Sequence, residues 1–195
     1  MKKESMVVRG ALIVGFATAL LLSFGCGGSD TGSGATPPAL ACSDAGAAAA
    51  NTVIMSCAGA IDGTTEKVNV VIGGPASGTT TLRGLNFEVT YDPAKVVFVS
   101  ATNGEGGIFP PSALVAPKAF PDDPIPHVVL AIQLVVGVPD VVVGAGQHVV
   151  MTLTFQGAPG ATFDGTPLNF DLEKSEATSP SNPVTFASGL VLSYR

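Results

Sequence analysis

Apolar and polar residues alternate from Leu85 to Tyr91: Leu85, Phe87, Val89 and Tyr91 on one side, Asn86, Glu88 and Thr90 on the other. A two-residue period is the signature of a strand with one buried and one wet face. Asp92-Pro93 stops the strand, because proline has no amide hydrogen for a ladder and aspartate bonds back to the turn backbone. A second strand, Val96–Ala101, follows at once. Two strands with apolar faces need a second sheet to cover them, which predicts a sandwich.

The same reading places strands at Thr52–Ala58, Lys67–Ile72, Gln147–Gln156 and Thr166–Leu172, with shorter ones at Val141–Val143, Val184–Phe186 and Gly189–Ser193. Thr79–Leu82 extends or flanks the second of these. Val128–Val136 is almost continuously apolar and predicts a strand covered on both faces. Six prolines between Pro110 and Pro126 predict a long loop with at most a short edge strand. Glu173–Pro183 is polar and reads as a loop. The sum is an all-β chain, a β-sandwich of about nine strands with jelly-roll topology.

Composition agrees with many short strands and turns: 24 Gly, 15 Pro and few charges in 195 residues. That length fits one such domain behind a leader. Residues 1–25 begin with Lys2, Lys3 and Arg9 and continue into an apolar run from Ala11 to Phe24, the build of a secretory signal peptide. The run falls short of the about 20 apolar residues a bilayer span needs. Its ending, Leu-Leu-Ser-Phe-Gly-Cys, resembles the lipobox of bacterial lipoproteins and makes Cys26 the candidate lipidation site. Ser23 and Phe24 depart from that pattern, and a cleaved signal with an incidental cysteine is the alternative. Residues 26–41, rich in Gly, Ser, Thr and Pro, cannot bury a core and read as a flexible tether. The folded domain is expected over 42–195. These features predict an exported chain held to a membrane by lipid, at the outer membrane or the cell surface.

The leader carries three positive charges and one negative, so removing it takes the net charge from -6 to -8. An acidic domain with scattered lysines has no footprint for a phosphate backbone, which excludes nucleic acid as a partner. With Cys26 lipidated, Cys42 and Cys57 remain as a pair that an oxidising compartment can join. That disulfide would close a loop of about 15 residues and be worth up to about 3 kcal/mol; two free thiols are the alternative. Asp44–Asn51 between them is alanine-rich and could form one or two helical turns, marginal unless packed.

The ordered segments GAIDGTTEKVNVVIGG, GLNFEVTYDPAKVVFVSATNG, GQHVVMTLTFQGAPG and LNFDLEKSEA, within residues 52–195, resemble the cohesin module and cohesin-like domains. The resemblance implies a nine-stranded jelly roll that binds a dockerin-like protein partner through one sheet face, without catalysis or cofactor. Cohesins carry Asn and Asp on the strand before Tyr-Asp-Pro, where this chain has Gly84 and Asn86. The outward residues Asn86, Glu88 and Thr90 are the candidate partner-binding face; a plainly solvated strand face is the alternative.

Other chemistry is weakly represented. His127 and His148 each begin a strand with no Cys or His at ligand spacing, and read as polar residues near turns. No G-x-S-x-G elbow or phosphate-cradling glycine loop occurs. Asp122-Asp123 lacks the regular run of oxygen ligands of a calcium loop, so no metal is expected. A polysaccharide partner would need exposed rings. The chain has no tryptophan, and Phe109 and Phe120 are the candidates. A structural spacer in a surface assembly is the third possibility.

Overall fold

The alternation becomes two facing sheets in a computed structural model, which describes residues 36–195. In chain order the strands are β1 (Leu40–Ser43), β2 (Thr52–Ala60), β3 (Thr65–Gly74), β4 (Thr80–Leu82), β5 (Gly84–Thr90), β6 (Val96–Asn103) and β7 (Leu114–Phe120). They continue with β8 (His127–Gln133), β9 (Val141–Val143), β10 (Gly146–Gly157), β11 (Thr166–Phe170), β12 (Glu176–Thr178), β13 (Thr185–Ala187) and β14 (Leu190–Tyr194). One sheet runs β1-β14-β11-β5-β8-β7, with β12 also on β5; the other runs β13-β2-β3-β10-β6. β4 and β9 form a separate ribbon. The chain passes repeatedly between the sheets, β3 to β5 to β6 and β8 to β10 to β11, which is the crossing pattern of a sandwich.

The core is the set the period-two pattern selects. Leu85, Phe87 and Val89 on β5 and Val128, Leu130 and Ile132 on β8 meet Val68, Val70 and Ile72 on β3 and Leu153 and Phe155 on β10, all essentially solvent-free. Phe87 packs edge-on against Phe170, with ring centroids 5.5 Å apart, and Phe155 does the same with Tyr91 and Phe98. The Tyr-Asp-Pro corner forms as read: Asp92 Oδ1 accepts the Ala94 N–H, and its carbonyl accepts the N–H groups of Lys95 and Val96.

Several expectations are corrected. Among the described residues there are 14 strands rather than about nine, the additions being short or at edges. The polar stretch after Glu173 contains β12, and the proline-rich loop contains the seven-residue β7. β7 is the outermost strand of its sheet, where a proline is tolerated because one side has no ladder partner. β8 ends at Gln133 and leaves Val136 fully exposed. It is buried on one face only, with Val129 and Ala131 partly open on the other. Leu40 and Ala41, assigned by composition to the tether, open β1 and pair with Tyr194 and Ser193.

The alanine-rich segment is not helical. Its start is held to β2: a disulfide joins Cys42 to Cys57, and Asp44 accepts from the Cys57 N–H and the Ser56 hydroxyl, with a local bond from the Gly46 N–H. Ala50 bridges to Gly73, and its neighbour Ala49 lies so close to Gly73 that a Cβ there would collide with the Ala49 carbonyl. So short an alanine run has no helical stability of its own to oppose these contacts.

Candidate functional site

The outward face of the larger sheet is built in rows set by strand register. Leu114, Gln133, Gly84 and Thr178 form one row; Ala116, Ala131, Asn86 and Glu176 the next. Lys118, Val129 and Glu88 follow, and Phe120, His127, Thr90 and Asn169 close the face. Asn86, Glu88 and Thr90 therefore stand side by side, as alternation requires, each half-buried. Beside them the middle of the face is small and apolar, through Ala116, Ala131 and Val129. A sheet surface with little side-chain relief can lie flush against another protein.

One end of this face carries a knot of charge. Glu88, with its side chain 15% exposed, accepts from the Lys174 ammonium at 2.9 Å, and Asp171 lies 3.4 Å from the same nitrogen. The bond to Glu88 raises the Lys174 pKa above the usual lysine value, with Asp171 adding to it. His127 Nε2 lies 3.8 Å from the same Glu88 oxygen, while Nδ1 is 2.8 Å from the Ile125 carbonyl and 4.0 Å from Asp123. The Nδ1 hydrogen therefore points to Ile125. Phe120 stacks on the imidazole with centroids 4.9 Å apart, and the Lys118 ammonium lies 4.8 Å from the Phe120 ring centre. A hollow of about 240 Å³ opens here between Glu88, Thr90, Asp123, Ile125, His127 and Lys174.

Sequence reasoning named Asn86, Glu88 and Thr90 but missed what lies next to them. His127 is in the face and not merely near a turn, and Lys174 makes Glu88 an engaged carboxylate. The alternation of β8 carried the signal for His127, Val129 and Ala131, but a strand taken as buried on both faces hid it. The pairing of Lys174 with Glu88 has no sequence signal, since it spans 86 positions. Phe109 is 3% exposed and packs in the core, correcting its reading as an open ring; Asn103 Nδ2 donates to the Phe109 and Pro110 carbonyls and holds the backbone there. His148 bonds to the Gly144 carbonyl away from this face. Among the described residues no three His, Cys, Asp or Glu side chains gather as metal ligands, and Asp123 is the member of the Asp122-Asp123 pair that approaches His127. Cys26 lies outside the described residues.

Solved structures of low sequence identity share this architecture. CaCohA2 of Clostridium acetobutylicum, in a complex, superposes with a TM-score of 0.54 at 13% identity, over 71% of this chain and 96% of its own. The fold is that of a cohesin. The third cohesin of ScaC from Acetivibrio cellulolyticus, bound to the ScaB dockerin, gives 0.51 at 15% identity over 71% and 95% of the two chains. The OlpC cohesin of Clostridium thermocellum, in a type I cohesin–dockerin complex, gives 0.51 at 14% identity over 78% and 99%. No protein-family model and no curated protein matches the sequence. At such identities the cohesin architecture is what is shared, while the side chains on the sheet face are this chain's own.

Proposed function

We propose that this chain is a non-catalytic binding module, held at a membrane surface by lipid on Cys26, that captures a protein partner of the dockerin kind on the outward face of β7, β8, β5, β12 and β11. The observation that carries the reading is the likeness to cohesins solved with dockerins. The face supports it with a small-residue apolar centre at Ala116, Val129 and Ala131, and polar Asn86, Glu88 and Thr90 alongside. Anchor, tether and binding module in that order suit the assembly of partners at a cell surface. Partner recognition here uses Gly84 and Asn86 where cohesins carry Asn and Asp, so the contacts are particular to this chain. The polysaccharide reading gains no support from the rings: Phe109 is buried and Phe120 is covered by His127 and Lys118.

The test is capture from detergent-solubilised membranes of the source cells with the full-length chain as bait and an Asn86→Arg, Ala131→Arg double variant as control. A protein bound by the wild type and lost by the variant, then shown to bind when purified, supports the reading. An identical set of proteins with both baits removes the face from consideration. Palmitate labelling that persists in Cys26→Ala would remove the lipid at that cysteine.

A further inference from the structure

Asn103 closes β6 and Gly104 opens the turn after it, the one Asn-Gly step in the chain. Asn103 Nδ2 donates to the Phe109 carbonyl at 3.2 Å and to the Pro110 carbonyl at 2.8 Å. Carbonyls only accept, so the nitrogen end of the amide must face them. The Asn103 Oδ1 is buried and meets no donor among the described residues. The two bonds hold the backbone that carries Phe109 into the core, just ahead of β7. Gly104 is buried against Val149, whose side chain a Cβ would strike. The fold therefore sets an asparagine and a glycine side by side for two unrelated reasons, a loop tie and a close approach.

That dipeptide is chemically labile. The Gly104 amide nitrogen, with no side chain to shield it, attacks Asn103 Cγ; the Cγ–Nδ2 bond breaks, and ammonia leaves with the proton from Gly104, closing a succinimide ring. Water then opens the ring at either carbonyl and leaves aspartate or isoaspartate. Water is the only co-reactant. Attack requires the amide to release its two carbonyl acceptors, so the reaction runs from a transiently opened loop.

We propose that Asn103 is a site of spontaneous, one-way deamidation, and that the acid formed there unlocks residues 103–111 and with them the support of β7. In the closed loop the new oxygen would stand where Nδ2 stood, against two carbonyl oxygens, and the other oxygen has no donor to offset the charge. A carboxylate so placed costs more than the two lost bonds alone. Isoaspartate also lengthens the main chain by a methylene where Asn103 pairs with Met151. β7 lines the candidate binding face, so deamidation gives that face a finite working life. This last consequence rests on the function proposed above; the modification and the loop release do not.

Ageing the full-length chain in mildly alkaline buffer, read by peptide mass, tests the chemistry. Acid should build up at position 103 ahead of the other five asparagines. Amide exchange then tests the release, through Ile108, whose N–H donates to the Val149 carbonyl at 2.9 Å, with Val89 in the core as the internal reference. The Ile108-to-Val89 ratio should rise more than about tenfold in the acid-bearing fraction, separated by ion exchange, and in Asn103→Asp. No lead of position 103 over the other asparagines overturns the proposal. So does an acid-bearing fraction whose ratio matches that of the unaged chain, whether because neither amide opens or because both do. The aged wild type decides the matter even where the variant does not fold.

Discussion

Lys174 reaches from the turn after β11 to lay its ammonium 2.9 Å from Glu88 Oε2, so the central carboxylate of the candidate face is already held by its own chain. A partner must compete with Lys174 or accept the pair as a neutral unit. The lysine is more than half exposed, so the pair is worth little to the fold. A double-mutant cycle with Glu88→Gln and Lys174→Met should give little coupling in urea unfolding, vanishing in high salt. A coupling that is large and insensitive to salt would mean the pair is structural.

Asp44 is a second carboxylate whose state matters. The Cys57 N–H is the main group holding its pKa below the ordinary value, with the Ser56 hydroxyl and the Gly46 N–H assisting and partial burial opposing. A depressed folded-state pKa gives stability that is present above the unfolded pKa and lost as pH falls through the folded one. Asp44→Ala should cost about 1–2 kcal/mol at pH 7. The difference from wild type should narrow below about pH 4, as read by unfolding at several pH values.

Glu66 has the opposite sign. With its folded pKa raised by burial, its contribution is most favourable below the unfolded value and is lost as pH rises through the folded one. Urea midpoints of Glu66→Gln should therefore gain on the wild type as pH rises from about 4 to 8. A constant difference across that range would show that Glu66 does not change its charge on unfolding.

The disulfide closes a 15-residue separation. Cys42→Ser with Cys57→Ser, or reduction, should lower stability by up to about 3 kcal/mol with the β-rich circular dichroism spectrum retained. Loss of the whole fold would show that the Cys42–Cys57 segment is needed for the core and not only for its end.

Gly73 is a test of close approach. An alanine Cβ there would collide with the Ala49 carbonyl, a backbone atom that cannot step aside alone. Gly73→Ala should cost about 1–3 kcal/mol, whereas Val99→Ser on the exposed part of β6 should stay within about 0.5 kcal/mol. Comparable melting temperatures for the two would place slack in the Ala48–Ala50 segment.

The sequence by itself determined the elements whose evidence is local. Side-chain period two in Leu85–Tyr91 and Gln147–Gln156, and the stop at Asp92-Pro93, fix strand, face and corner within a few residues, because strand geometry sends neighbouring side chains to opposite sides. That is why the all-β sandwich, its core set and the position of Asn86, Glu88 and Thr90 on one face could be read directly. Only the tertiary structure decided which strands stand side by side. β7 exists because β8 is there to pair with it, and the alanine-rich segment is extended because Gly73 and the disulfide hold it. Lys174 meets Glu88 across 86 positions, and His127 comes under Phe120 only because β7 folds back on β8. Their energies depend on separation in space and on burial, neither of which a linear pattern of residues contains.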